Sequence, residues 1–132
     1  MTRTLFEDEY ITLTLDEARS LVRYIRSDVP FTSMTVMRAL HARIAALIPE
    51  DAGLKLLLDV RQAPSRNDPE FETEIMRAFG TFLPKFDAHA VVARTAAGRL
   101  QAQRLERQHN TKEPGVFDNE AEALRFLGMR PQ

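Results

Sequence analysis

Hydrophobic and polar residues alternate near the start of the chain. Ile11, Leu13 and Leu15 are separated by polar residues, and a second alternation follows over residues 20–26. A period of two is typical of β-strands with one buried face. Because only residues 16–19 separate the two segments, the pattern predicts an antiparallel β-hairpin.

The next segment has helical spacing. Thr32 or Ser33 is a suitable N-cap, and Pro49 stops the helix after about Ile48. The predicted buried face consists of Val36, Leu40, Ile44, Leu47 and Ile48. These positions recur every three to four residues, as one face of a helix requires.

A second helix is predicted after a polar loop at residues 61–67. Asp68 is its predicted N-cap, and Pro69 occupies the first helical position, where its missing N–H is not needed. A wide apolar stripe follows at Phe71, Ile75, Phe79, Phe82 and Phe86. With Phe79 in the core, its truncation to alanine is expected to cost about 3–5 kcal/mol.

The remaining elements follow the same two periods. Two short apolar runs, residues 54–60 and 88–94, are typical of central strands covered on both faces. A capped helix, a polar loop, a short strand and a last helix are predicted over residues 95–108, 109–115, 116–117 and 118–128. Asp118 or Asn119 caps the last helix and Gly128 ends it.

The element order predicts the fold. A β-β-α-β-α-β-α-β-α order indicates an α/β domain with a mixed, mostly parallel sheet of about five strands and about four helices. The opening hairpin supplies the antiparallel edge. The 132 residues are expected to form a single domain over residues 1–132.

Charge and composition narrow the classes of function. Eighteen basic and 19 acidic side chains give a net charge of −1, which argues against nucleic-acid binding and a polybasic membrane surface. No apolar run approaches the roughly 20 residues of a membrane span, so membrane insertion is not expected. The absence of cysteine suits a reducing compartment, and a cytoplasmic location is predicted.

Metal-binding and catalytic motifs are absent from the sequence. There is no cysteine, and no two of His41, His89 and His109 have the spacing of metal ligands. We therefore expect no metal, no cofactor and no catalytic residue.

Asp59 is a candidate for ligand or anion binding because it ends a predicted central strand. Its position is similar to that of the phospho-acceptor aspartate of response regulators. The acidic pair and late lysine that accompany that aspartate are missing. The alternative is that Asp59 accepts loop N–H bonds or pairs with Arg61 or Arg94.

The start of the third helix is a second candidate anion site. Thr95 opens the helix, and Arg94 and Arg99 lie beside it. Backbone N–H groups at a helix N-terminus attract anions. Because no glycine-rich phosphate-binding motif is present, the alternative is a simple helix cap at Thr95.

The chain resembles the STAS-like superfamily, specifically the SpoIIAA-like domains related to bacterial anti-sigma-factor antagonists. The resemblance covers Tyr10 to Gly128. It is based on the hairpin, on Leu-Leu-Leu-Asp-Val before a loop and helix, and on Val-Val-Ala-Arg-Thr at residues 91–95. The segment Val-Phe-Asp-Asn-Glu-Ala-Glu-Ala-Leu-Arg-Phe-Leu at residues 116–127 completes it.

This resemblance implies a non-enzymatic interaction domain with a regulatory protein partner. Antagonists of this type are phosphorylated at the start of the helix after the central strand, within Asp-Ser-Ser/Thr-Gly. That motif is missing here, and Ser65 is the nearest hydroxyl in the matching segment. Ser65 is therefore the phosphorylation candidate. The candidate interaction surface is Arg66, Asn67, Phe71 and Met76, and formation of a homo-oligomer stays open.

Three functions are compared on these grounds. The first is a non-enzymatic regulatory or protein-interaction module. The second is a carrier or sensor that holds a small apolar or anionic ligand under the second and third helices; a co-purifying ligand or a pocket lined by the phenylalanines would favour it. The third is an enzyme, which would need polar groups converging near Asp59, Arg94 and Thr95. The sequence favours the first.

Overall fold

Strands and helices alternate along most of the chain. A computed structural model describes residues 1–108 and 115–130. Within them the strands are β1 (Thr2–Glu7), β2 (Ile11–Asp16), β3 (Leu21–Arg26), β4 (Lys55–Asp59), β5 (Ala88–Val92) and β6 (Val116–Phe117). The helices are α1 (Met34–Ala45), α2 (Pro69–Phe82), α3 (Ala96–Gln108) and α4 (Glu120–Phe126), with a 3₁₀ turn at Leu83–Lys85. The predicted α/β class and the four predicted helices are confirmed.

The six strands form one mixed sheet in chain order, β1-β2-β3-β4-β5-β6. β1, β2 and β3 pair antiparallel. β3, β4, β5 and β6 pair parallel, and one helix connects each parallel pair. The predicted hairpin is β2–β3, and the predicted mixed character of the sheet is confirmed.

The sheet has six strands, whereas the sequence predicts about five. The additional strand is β1, which the sequence pattern does not predict. Residues 2–4 and Glu7 are exposed, and only Leu5 and Phe6 are half-buried. The register with β2 also shifts between Thr4 and Phe6. An exposed edge strand with an irregular register lacks the alternating apolar pattern by which a strand is recognised in sequence.

The two faces of the sheet are covered unequally. Leu56 and Leu58 of β4 pack in the cluster that includes the buried residues of α1 and α2. Leu57, between them, packs on the opposite face against Leu124 and Leu127 of α4 and its C-terminal end. Half-buried Leu105 places α3 on the first face. Three helices therefore cover one face, and α4 covers the other.

Helix α1 is capped as predicted but is shorter than expected. The Ser33 Oγ accepts from the Val36 N–H at 3.1 Å. The last α-helical residue is Ala45, and turns complete the segment to Ile48. The sequence predicts Leu47 on the buried face of the helix. That prediction is wrong, because the Leu47 side chain is 43% exposed. The helix has already ended at that point, so helical spacing no longer sets the direction of Leu47.

Helix α2 begins at the predicted cap. Asp68 accepts from the Phe71 N–H at 3.1 Å, and Pro69 is the first helical residue. Phe82 and Ile75 are buried, whereas Phe71 and Phe79 are only half-buried. The apolar stripe is therefore wider than the core that it meets.

The C-terminal part of the chain agrees with the predicted elements where it is described. Asn119 caps α4 by accepting from the Glu122 N–H at 2.9 Å. Gly128 follows the helix with a φ of +80°, a left-handed conformation that favours glycine at this position. Apart from Gly115, the loop predicted over residues 109–115, with His109, lies outside the described residues.

Candidate functional site

A cavity of about 170 Å³ lies between α2, α3 and the sheet, next to the residues that follow β4 and β5. α2 packs closely along α1, whereas α2 and α3 make few close contacts with each other. Besides Gln101, Leu105 and Glu106, α3 contributes Gly98 and Ala102 to the lining, and these two residues are small. The carboxyl ends of parallel strands are where α/β folds commonly form ligand sites.

Most of the cavity wall is apolar. It is formed by Leu58, Phe71, Ile75, Met76, Phe79, Leu83, Val91, Ala102 and Leu105. The half-buried phenylalanines of α2, Phe71 and Phe79, pack against the core on one side and line this space on the other. The excess width of the α2 stripe therefore lines a cavity.

A hydrogen-bonded pair of rings lies on the β3 side of the cavity. The Tyr24 hydroxyl is 2.7 Å from His41 Nε2, and His41 Nδ1 is 2.8 Å from the Met37 carbonyl oxygen. Since a carbonyl only accepts, Nδ1 donates to it, and the Tyr24 hydroxyl donates to Nε2. Burial lowers the pKa of His41, which favours this neutral imidazole, and burial raises the pKa of Tyr24. Tyr24 therefore lines the cavity with its polar atom already bonded.

Four arginines line the cavity, and two of them are paired with carboxylates. Arg61 binds Asp59 through Nε and Nη2 at 3.0 and 2.7 Å, and its backbone N–H donates to the same carboxylate. Arg66 binds Asp68 at 2.6 and 3.1 Å. The Arg66 guanidinium is the largest influence lowering the pKa of Asp68. The alternative in which Asp59 pairs with Arg61 is thus confirmed.

The other two lining arginines have no carboxylate partner. Arg94 is exposed and forms no ion pair of 4 Å or less with any side chain in the described residues. Arg26 is only 6% exposed; its Nη1 donates to the Tyr10 carbonyl at 2.7 Å and its Nη2 to the Val29 carbonyl at 3.0 Å. Its guanidinium lies 4.2 Å from the centre of the Phe31 ring. Burial lowers the pKa of Arg26.

Thr95 at the start of α3 acts as a helix cap. Its Oγ1 accepts from the Gly98 N–H at 3.0 Å. Arg99 turns back to donate to the Arg94 carbonyl at 3.2 Å. The cap predicted as the alternative at Thr95 is confirmed, and both Arg94 and Thr95 line the cavity.

Polar side chains connect α3 to α2 across the outer side of the cavity. Arg104 donates to both Glu72 oxygens at 2.8 and 2.6 Å, and Gln101 Nε2 donates to Glu72 at 2.9 Å and to the Arg66 carbonyl at 2.7 Å. The Arg104 and Gln101 hydrogen bonds hold the pKa of Glu72 below its usual range. Hydrogen bonds and an ion pair therefore join α3 to α2 on this side of the cavity.

Another polar pair lies near the C-terminal end of α3. His89 Nε2 is 2.6 Å from Glu106 Oε1, and the Glu106 side chain is 6% exposed. Glu106 also lines the cavity. The lining therefore has a carboxylate near the end of α3 and guanidinium groups elsewhere on its surface.

The structure brings together residues that the sequence placed in separate groups. Of the candidates for phosphorylation, interaction and anion binding, six line the cavity: Ser65, Arg66, Phe71, Met76, Arg94 and Thr95. Ser65, Arg66 and Asn67 also line a shallow depression beside it, together with exposed Leu100. Asp59 and Arg99 are not lining residues of either. The convergence of Asp59 with Arg94 and Thr95 considered for an enzyme is therefore not found in the cavity.

Sequence reasoning missed Arg26, Tyr24 and His41 as parts of this region. Val22, Tyr24 and Arg26 occupy every second position of β3 and therefore share the face that α1, α2 and α3 cover. A charged residue that continues the apolar face of a strand was a usable signal, because arginine is rarely buried. The position of His41 on the buried face of α1 was a second signal of this kind, because it places a polar ring in the core.

Two further observations concern membrane-spanning helices and metal sites in the described residues. Over residues 1–108 and 115–130, no helix has both the length and the apolar character needed to cross a bilayer. In the same ranges, no three His, Cys, Asp or Glu side chains are grouped as ligands of a metal ion.

Comparisons of the chain with protein-family models, with curated proteins and with solved structures give no match. The STAS-like resemblance therefore stays a prediction from the sequence.

Proposed function

We propose that this domain is a non-enzymatic carrier or sensor that binds a small, largely apolar ligand between α2 and α3. The single observation that supports this proposal is the cavity of about 170 Å³ lined by phenylalanine, leucine, isoleucine and valine side chains. An engineered apolar cavity of about 150 Å³ in another protein binds benzene. A molecule of one ring with a short substituent suits this space.

A carrier or sensor is the second function expected from the sequence, and a pocket lined by the phenylalanines is a feature that favours it. Phe71 and Phe79 line the cavity from α2, and Phe31 lines the β3 side. An unfilled cavity forfeits packing contacts and therefore costs stability. A ligand that packs against these side chains would supply such contacts.

The regulatory or protein-interaction function is the second candidate, and one observation favours it. Leu100 is 66% exposed beside Ser65, Arg66 and Asn67 in the shallow depression next to the cavity. Arg66 and Ser65 belong to both the cavity and this depression. A protein partner that contacts the depression would thus contact residues that also meet the ligand, as a ligand-dependent regulator requires.

Filling the cavity tests the proposed function. We expect toluene to raise the melting temperature of the parent protein and to shift amide resonances near Phe79 and Leu105, because a ligand that binds only the folded state stabilises it. Ala102→Phe adds a ring to the cavity wall and should abolish both effects. Ala42→Phe is the matched control, since Ala42 is an exposed residue of α1.

Two results would contradict the proposal. One is a parent protein whose melting temperature and resonances near Phe79 do not respond to toluene. The other is a response of equal size in the parent, Ala102→Phe and Ala42→Phe, which would indicate binding outside the cavity.

A further inference from the structure

The cavity is lined by a buried positive charge that has no carboxylate within 4 Å in the described residues. Burial lowers the pKa of Arg26, and the charge of Asp8, which lies farther away, raises it. Arg26 lines the cavity and is 6% exposed. Its two hydrogen-bond acceptors, the Tyr10 and Val29 carbonyl oxygens, are neutral. No carboxylate of the described residues lies within 4 Å of its guanidinium, since no ion pair includes Arg26. Burying an unpaired charge is costly, so buried charges are ordinarily paired.

The other arginines that line the cavity are either paired with a carboxylate or exposed to solvent. Arg61 and Arg66 each bind an aspartate with two hydrogen bonds. Arg94 has no such partner, but it is exposed and its charge is solvated by water. Among the described residues, Arg26 is therefore the lining arginine that is both buried and without a carboxylate within 4 Å, and an anion from outside the chain would supply that direct partner.

The guanidinium of Arg26 can still receive such an anion. Its bonds to the Tyr10 and Val29 carbonyls leave further N–H donors unused. One face of the group is covered by the Phe31 ring at 4.2 Å, which keeps the guanidinium plane in place. A planar, oriented guanidinium is well suited to a carboxylate, which matches its N–H geometry.

The apolar part of the ligand is defined by the rings around Arg26. Phe31, Tyr24 and Phe79 line the same cavity, and the Tyr24 and Phe79 rings meet edge to face at 5.8 Å. Flat aromatic surfaces favour an aromatic ligand through stacked and edge-to-face contacts. The cavity volume limits that ligand to about one ring with a short substituent.

We infer that the ligand is a small aromatic carboxylic acid, with its ring among the phenylalanines of α2 and its carboxylate bound by Arg26. This inference rests on the proposed function and specifies its ligand. The other role for Arg26 is structural, because the same guanidinium joins the carbonyls of Tyr10 and Val29. A structural role alone gives no preference between an acid and its neutral amide.

The test compares benzoate with benzamide, which have nearly the same shape and differ in charge. Binding to the full chain is measured at pH 7 by titration of amide resonances. We expect the parent to bind benzoate about tenfold more tightly than benzamide, as a hydrogen-bonded charge pair provides. Arg26→Met should remove this preference, because it lowers benzoate affinity more than benzamide affinity. Arg94→Met, the control at the exposed arginine, should keep the preference.

Each remaining outcome is decisive. Equal binding of benzoate and benzamide by the parent would overturn the inference and leave the proposed function in place. No binding of either probe, together with no response to toluene, would overturn both. A preference that survives Arg26→Met and disappears in Arg94→Met would move the carboxylate to the exposed arginine. If Arg26→Met does not fold, Arg26→Lys keeps the charge without the planar donors and should reduce the preference; an undiminished preference there would overturn the inference.

Discussion

At the scale of single residues, Phe79 and Phe82 of α2 differ in how much of each ring is packed against other atoms. Phe82 is fully buried and packs against Phe86, with ring centres 5.0 Å apart. Phe79 is half-buried and has the cavity on one side. The free energy of packing comes from contacts with surrounding atoms, and Phe79 has such atoms on only part of its surface.

Truncation of these two rings should therefore differ in cost. Phe82→Ala is expected to lower the free energy of unfolding by about 3–5 kcal/mol, as for a buried aromatic side chain. Phe79→Ala should cost about half as much, rather than the full core penalty expected from the sequence. Urea melts of the two variants measure the difference, and equal costs would mean that Phe79 packs in a filled core.

At the scale of secondary-structure elements, α3 depends on a small set of polar contacts. The large apolar side chain of Leu100 in α3 is exposed to solvent. Gln101 and Arg104 of α3 both donate hydrogen bonds to Glu72 of α2. Because α3 contributes few large apolar residues to the core, these bonds carry much of its attachment to α2. α3 should therefore open more readily than α1 or α2, which pack closely along each other.

This attachment should weaken in acid. The pKa of Glu72 is lower in the folded protein than in the unfolded chain, because Arg104 and Gln101 bind its charged form. Its stabilising effect is therefore complete above the unfolded glutamate pKa of about 4.3 and is lost as pH falls through the lower, folded value. Amide hydrogen exchange in α3 should speed up over that pH range relative to exchange in the central strand β4.

Glu72→Gln gives the same test at neutral pH. We expect faster exchange across α3 and unchanged exchange in β4, because the substitution removes the charge that Arg104 binds. Glu70→Gln is the matched control, since Glu70 is 75% exposed and makes only a 3.8 Å contact with Arg66. Equal exchange of α3 in the parent and in both variants would show that apolar packing holds this helix.

The elements themselves were largely predictable, and the reasons for the exceptions are physical. The caps Ser33, Asp68 and Asn119 follow from side chains that can accept the free N–H groups of a helix start. The edge strand β1 was missed because its pattern is exposed. The cavity could not be predicted, because it depends on the distance between α2 and α3 rather than on the apolar period of either helix.

At the scale of the whole molecule, the loop after β4 connects the central strand, the cavity and the outer surface. Ser65 is exposed and lines both the cavity and the neighbouring depression. Arg61 and Arg66 lie on either side of it in sequence, and both guanidinium groups already bind aspartates. A negative charge added at Ser65 would therefore meet cations that are already neutralised, and it would change the charge at the mouth of the cavity more than the fold.

Ser65→Asp tests this loop as a point of regulation. We expect the free energy of unfolding to stay within about 1 kcal/mol of the parent, as for most exposed substitutions. Affinity for benzoate should fall several-fold relative to benzamide, because the new carboxylate repels an anion that enters past it. Ser65→Asn, similar in size but uncharged, is the control and should keep the parent ratio. Raised ionic strength should reduce the difference between the two variants, and a benzoate-to-benzamide ratio equal in the parent, Ser65→Asp and Ser65→Asn would exclude Ser65 from control of the cavity.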